Sequence, residues 1–299
     1  MKAKITILLL SLVIFPFSPL IAQLTILSGP TQGSYSVFIS DIEKVLSTDS
    51  TKLVVNMDTD GAAYNLEKIA DRNSPFKLAL IQSDLLFHMY GMDMLNNTEK
   101  TKNIKVILPL ANEEIHLVTI NDSELTKLQD LSEKMIGIGT QYQGTYYTAS
   151  LIKNRSKVLW NSRIMSYEDA LRDLNTRKID AFFVVGSAPM QKLDIDPRAF
   201  SKTLKLIPLV DFDDWAKYYQ PDTIYAGDYK WLEENVPTFS VKTVLVVNES
   251  KLTEQDRKDI ALIIEGINAN MNMLKTEGHR KWKEVDLLDW DSNDWPFLE

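Results

Sequence analysis

Apolar positions fall into two alternating rhythms along the chain. Short unbroken or alternating runs predict strands at Leu24–Leu27, Leu53–Met57, Leu78–Ile81, Ile115–Ile120, Met135–Gly139, Ile179–Val185 and Ser240–Val247. Between them the spacing changes to that of a helix. Tyr35–Leu46 carries Phe38, Ile39, Ile42, Val45 and Leu46 on one face, and Ala62–Ala70 carries Leu66, Ile69 and Ala70. Further helices are predicted over Thr145–Lys153 and from Tyr167 to about Thr176, the latter capped by Ser166 with Asp169 at the capping-box position. A last helix runs from its cap Thr253 to about Glu277, with Ile260, Ile263, Ile264, Ile267, Met271 and Leu274 as its buried stripe and Gly278 as its stop. Strands alternating with helices imply an α/β fold with a mainly parallel sheet, because parallel neighbours need crossover helices.

The pattern restarts after Asn121-Asp122-Ser123. Gln32-Gly33-Ser34-Tyr35 follows the first strand and opens a helix, and Gln143-Gly144-Thr145-Tyr146 does the same in the second half. Two related α/β units predict two lobes around a central ligand cleft. Residues 24–121 and 240–299 are assigned to lobe I and residues 122–239 to lobe II, with Ile115–Ile120 and Val241–Val247 as the crossing strands. The duplicated loops have a definite chemistry. Glycine lets backbone approach a ligand closely. A Ser or Thr at a helix start adds a hydroxyl to free N–H groups and the positive end of the helix dipole. The result is an anion site that needs no arginine. Either loop alone reads as a plain helix cap; the recurrence in matching contexts favours a site. No Gly-Lys-Ser/Thr and no clean Gly-x-Gly-x-x-Gly opens a helix, which favours a small carboxylate over a nucleotide.

Composition narrows the function classes. The 299 residues suggest about two domains. Hydrophobic residues make up 44% and charged residues 25%, ordinary for a folded soluble chain. A net charge of −8 without a basic run argues against nucleic acid as a partner. The chain has no cysteine, which excludes disulfides, Cys-ligated metals and a thiol nucleophile. His88, His116 and His279 are its only histidines and lie far apart in sequence, so a histidine metal site is not expected. Lys2 and Lys4 precede an apolar run from Ile5 to about Phe17, and Ala22 precedes polar Gln23, as in a secretory signal peptide over residues 1–22. A membrane anchor is the alternative, disfavoured by Pro16, Pro19 and a run shorter than the ~20 residues of a span. Cleavage after Ala22 would leave 277 residues and take the net charge from −8 to −10, since Lys2 and Lys4 leave. The expected location is the periplasm.

In the order and spacing of several short motifs, the chain resembles the TAXI-type substrate-binding proteins of tripartite ATP-independent periplasmic (TRAP) transporters. The motifs are Ser28-Gly29-Pro30-Thr31-Gln32-Gly33-Ser34-Tyr35, Gly61-Ala62-Ala63-Tyr64-Asn65-Leu66, Leu80-Ile81-Gln82-Ser83-Asp84, the loop from Gly139 to Thr145, Asp180-Ala181-Phe182-Phe183 with Gly186-Ser187-Ala188-Pro189, Ala226-Gly227-Asp228-Tyr229, and Val241-Lys242-Thr243-Val244. The resemblance covers nearly all of the chain after the leader. It implies a type II periplasmic-binding-protein fold, a binding role without catalysis or cofactor, and small organic anions as ligands, including glutamate-like amino acids, 2-oxoacids and dicarboxylates. TRAP membrane subunits would be the partners of a monomer. Pro30 and Gln32, Tyr142 and Gln143, and Ala62 depart from the family's usual residues, and they lie in the loops expected to touch ligand.

The candidate ligand-binding residues are Gln32, Gly33, Ser34, Tyr35, Gly61, Gln82, Asp84, Thr140, Gln143, Gly144, Thr145 and Gly186. Asp84 is a possible partner for a ligand ammonium, which would favour an amino acid over an oxoacid. A soluble sensor of the same fold, feeding a signalling receptor, is the competing function. An enzyme would need a paired acid and base, a metal cluster or a nucleophile constellation, and none has support in the sequence.

Overall fold

The structure is a computed structural model that describes residues 23–31, 33–47, 52–194 and 203–299. The expected leader and the candidate residue Gln32 lie outside the described residues. The elements follow in chain order: β1 (Leu24–Leu27), α1 (Ser34–Leu46), β2 (Val54–Met57), α2 (Ala62–Ala70), β3 (Leu78–Gln82), α3 (Ser83–Asn96), β4 (Ile104–Ile120), β5 (Met135–Gly137), α4 (Gly144–Ser156), β6 (Asn161–Arg163), α5 (Tyr167–Asn175), β7 (Ala181–Gly186), β8 (Leu204–Leu206), β9 (Gln220–Ile224), β10 (Val236–Asn248), α6 (Glu254–Ala269) and α7 (Met271–Glu277).

The strands join one sheet in the order β2-β1-β3-β10-β4-β7-β5-β6, with β8 added to β4 and β9 to β10. The sheet is mixed rather than mainly parallel. β1–β2, β1–β3, β5–β6 and β5–β7 are parallel, while every pair made by β4 and β10 with β3, β7, β8, β9 or each other is antiparallel. The reason is non-local. β10 returns from late in the chain and inserts between β3 and β4, a pairing that no local periodicity encodes.

β4 and β10 are long, 17 and 13 residues, and each serves two hydrophobic cores. Ile104–Ala111 of β4 and Val244–Val247 of β10 pack with β1, β3, α1, α2 and α6. Ile115 and Leu117 of β4 with Phe239 and Val241 of β10 pack with α4, Trp160 and Trp215. A third cluster, with Phe182, Val184 and Leu174, covers the other face of β7. The change from one core to the next falls at a register shift between Lys242 and Val244, where Val244 faces Pro109. A proline inside a central strand is tolerated at such an irregularity. The side chains at this joint are polar: Asn112, Glu113 and Glu114 on β4, Lys242 and Thr243 on β10.

Local chemistry explains the helix ends. Thr253 and Asp256 form a capping box, each side chain taking the other's backbone N–H at 3.1 and 2.7 Å. The helix expected to run to Glu277 divides at Asn270, whose side-chain amide donates to Gly266 O at 2.8 Å and ends the first segment. The acidic aromatic tail packs on the first core: Trp295 is buried and its indole N–H donates to Ile104 O at 2.9 Å. Among the described residues no helix is long and apolar enough to cross a membrane.

Candidate functional site

α1 and α4 begin at Gly33 and Gln143 caps that provide no side-chain hydrogen bond to the helix. Their first-turn N–H groups therefore have neither an intrahelical acceptor nor a side-chain cap. Both helix starts open onto one cavity of about 120 Å³. Gly33, Ser34, Tyr35, Gly61, Gln82, Gln143, Gly144 and Thr145 line it, so eight candidate residues from distant parts of the chain share one space.

The two hydroxyls are held by the backbone. Ser34 Oγ accepts from Ser187 N at 3.0 Å, and Thr145 Oγ1 accepts from Val185 N at 3.1 Å. Each oxygen acts as acceptor in these bonds, which leaves its own O–H free to donate into the cavity. The start of α2 is arranged differently. Gly61 adopts φ of +133°, a conformation suited to glycine, and Ala63 and Tyr64 both donate their N–H to Tyr142 O at 3.0 and 3.1 Å. The loop before α4 thus caps α2, and the α2 dipole is satisfied by protein.

Three candidates stand outside the lining. Thr140 supports the loop instead, donating its N–H to Gln143 Oε1 at 2.9 Å. Gly186 packs against Met190. Asp84 is engaged within the protein: its carboxylate accepts from Thr148 Oγ1 at 2.7 Å, from Leu85 N at 2.8 Å and from Tyr219 OH at 3.4 Å. Burial raises its pKa, with these hydrogen bonds acting in the opposite sense. Asp84 ties α3 to α4 and is not among the residues that line the cavity.

Sequence reading missed Glu113. The sheet brings Gln82 of β3, Thr243 of β10 and Glu113 of β4 together, through the register Thr243–Gln82 and Val241–Glu113. Glu113 lines the cavity yet is only 4% exposed. Gln82 Nε2 donates to Glu113 Oε2 at 3.3 Å. Tyr35 Oη and Thr243 Oγ1 also face the carboxyl, but neither closes a well-aligned hydrogen bond. Burial pushes Glu113 up to about 7, and the neighbouring Glu114 adds to the rise. Burial, then the charge of Glu113, raises the Tyr35 phenol well above its usual range. The neighbouring Glu114 has its own cation, the buried Lys281.

The opposite wall is apolar. Met165, Tyr167, Phe182, Val184 and Met190 line the cavity from the loop before α5, from the start of α5, from β7 and from the turn that follows it. Lys192 also reaches it, with its ammonium 2.8 Å from Glu168 and over the Tyr167 ring. The whole is a small chamber with unsaturated N–H and O–H donors, one buried carboxyl and a hydrocarbon wall, which is the make-up of a solute-binding site.

The description of one protein family, NMT1-like, fits residues 26–292. The chain belongs to the NMT1-like family. Solved structures resemble this NMT1-like protein at low identity. A ligand-binding component of an ABC-type import system from Staphylococcus aureus is 13% identical, with a TM-score of 0.53 over 91% of this chain and 82% of that one. A structure from the Streptococcus mutans system that imports glutathione via GshT and the cystine ABC importer TcyBC is 12% identical, with a TM-score of 0.50 over 91% and 100%. The effector-binding domain of QuiR in complex with shikimate is 10% identical, with a TM-score of 0.51 over 84% and 98%. At such identities the likeness is one of fold. The NMT1-like chain has the mixed α/β periplasmic-binding-protein fold, a curled sheet with flanking helices.

Proposed function

We propose that this NMT1-like protein is an extracytoplasmic solute-binding protein that captures a small carboxylate between two lobes, residues 24–121 with 240–299 and residues 122–239. It would pass the solute to membrane subunits of the TRAP type. The observation that carries this reading is the meeting of two side-chain-uncapped helix starts, α1 and α4, at one cavity with Ser34 and Thr145 beside them. Such N-termini stabilise an anion through free N–H groups and the helix dipole. The leader-like residues 1–22 and the motif order shared with TAXI-type proteins support export and the TRAP partner.

Calorimetric titration of the purified protein with a panel of small mono- and dicarboxylates tests the capture step. Uptake into vesicles holding TRAP membrane subunits, with and without the protein, tests delivery. Saturable binding of carboxylates, lost when Ser34 and Thr145 are replaced together, is expected. Binding of neutral or cationic solutes in preference to every carboxylate would overturn the reading. The sensor alternative shares the cavity and differs in partner; binding of the loaded protein to a receptor ectodomain, without stimulation of uptake, would select it.

A further inference from the structure

Glu113 is a buried carboxyl that lines the cavity and has no cation of its own. No ion pair among the described residues involves it, and its neighbours Gln82, Tyr35 and Thr243 are neutral. Lys281, the buried ammonium that reaches the neighbouring Glu114 from the segment after α7, is committed to Glu114 and Glu284. Lys192 is paired with Glu168. Burying an ionised carboxylate without a partner is strongly unfavourable, so such a group stays protonated or waits for a cation. Two further polar atoms lining the same cavity lack partners: Gln82 Oε1 and Tyr35 Oη, on side chains 3% and 6% exposed. Gln82 Oε1 can only accept a hydrogen bond. Gln82 Oε1 lies against Gly144 among the donors at the start of α4, which leaves the Glu113 carboxyl as the buried charged acceptor of the cavity without a matching cation. A simple carboxylate would use the donors and leave that acceptor unmatched.

We infer that the solute carries a protonated amine beside its carboxylate, with Glu113 as the acceptor of that amine and Met165, Phe182, Val184 and Met190 against an apolar remainder. The chemical class is that of the α-amino acids with hydrocarbon or thioether side chains. The cavity volume of about 120 Å³ suits a compact solute of this kind. This inference rests on the carboxylate-capture reading and narrows it. It also transfers to Glu113 the role that sequence assigned to Asp84.

The test uses the purified, exhaustively dialysed full chain and four probes in calorimetric titration: L-leucine, 4-methylpentanoate, 4-methyl-2-oxopentanoate and L-glutamate. Leucine is expected to bind about ten- to a hundredfold tighter than either amine-free analogue, the span of one charge-assisted hydrogen bond. Leucine is also expected to bind tighter than glutamate, whose second carboxylate would face the hydrocarbon wall. Glu113→Gln keeps the shape and removes the charge. It is expected to weaken leucine more than about tenfold and to narrow its advantage over 4-methylpentanoate. Circular dichroism and melting of the variant confirm that it folds. Equal or tighter binding of the amine-free analogues overturns the inference and leaves carboxylate capture standing. Preference for glutamate overturns the assignment of the apolar wall. Failure of all four probes, together with a failed carboxylate panel, overturns both readings.

Discussion

Gln82 and Gly144 meet so closely that a Cβ added at position 144 would fall 1.5 Å from Gln82 Oε1. Gln82 ends β3 in the first core and Gly144 opens α4 against the second, so this contact sets how near the two cavity walls come. Gly144→Ala must displace the Gln82 amide or hold the walls apart. Overpacking of this kind costs about 1–3 kcal/mol. If the contact forms fully only around ligand, the cost appears in affinity as roughly five- to a hundredfold weaker binding. Titration of Gly144→Ala with any verified solute measures it. The double variant Gly144→Ala with Gln82→Ala, which restores the space, should remove the steric part, and an undiminished affinity in Gly144→Ala would show that the contact does not limit closure.

Ser34 and Thr145 each accept one backbone N–H, so both hydroxyls are oriented before any ligand arrives. Loss of a donor to a charged ligand costs about 1.5–3 kcal/mol. Ser34→Ala and Thr145→Ala are therefore each expected to weaken carboxylate binding roughly ten- to a hundredfold. Thr145→Ser keeps the hydroxyl and should retain most of the affinity. Calorimetry of the three variants checks this, and equal affinities throughout would remove the hydroxyls from the site.

The residues that sequence located and those it missed differ in kind. Ser34, Gly144 and Thr145 follow strands and open helices, and that context is local and repeated, so it was readable. Glu113 was not. It lies in Asn112-Glu113-Glu114, which looks like a polar break, and only the pairing with Val241 of β10 makes it the interior of a 17-residue strand. The apolar wall is equally hidden, because Phe182 and Val184 belong to an apolar strand and the residues they join at the cavity come from distant elements. Asp84 differs in the opposite way: it follows a buried strand as expected, but its side chain turns to Thr148 and Tyr219, 64 and 135 residues away. Local pattern therefore set the helix starts, and long-range pairing set the floor between them.

Lys281 and Glu114 form an ion pair that is 4% and 2% exposed, with Glu284 on the same ammonium at 2.6 Å and Ala188 N on the same carboxylate at 2.9 Å. Burial raises Glu114 to about 6, against the opposing pull of Lys281. Lys281→Met leaves the carboxylate buried without its cation, a change that typically costs about 3–5 kcal/mol. Removing Lys281 takes away the pull that holds Glu114 down to about 6, so the carboxyl of the variant protonates at higher pH and the penalty should shrink as pH falls toward 6 and be smallest below it. Urea unfolding of the variant at pH 7.5 and pH 5 measures both values. A pH-independent loss would assign the effect to packing of the lysine stem.

The pH dependence of binding isolates Glu113. Its folded pKa of about 7 lies above the ordinary 4.5, so the unliganded protein holds an extra proton between those values. The sign follows from linkage. Through this group the folded state binds more protons than the unfolded state in that window, so the contribution of Glu113 to stability is greatest below pH 4.5 and falls as pH rises toward 7. An ammonium ligand has the reverse preference, because it needs the carboxylate. Its affinity should fall about tenfold per pH unit below 7 and level off above it. The groups around Glu113 are Tyr35 from α1, whose pKa is raised away from this range, and Glu114 beside it on β4, whose charge pushes Glu113 up. Gln82 from β3 and Thr243 from β10 do not titrate, and Asp84 at the start of α3 acts on Tyr35 rather than heading the influences on Glu113. Glu114 titrates near 6, so its own proton uptake would soften the acid limb rather than steepen it. Titrations of leucine at half-unit steps from pH 5.5 to 8.5, in buffers of different ionisation enthalpy, read both the affinity and the proton released. Release approaching one proton per ligand below pH 7, abolished in Glu113→Gln, is the expected result. A flat profile with no proton release would mean that the amine meets some other acceptor.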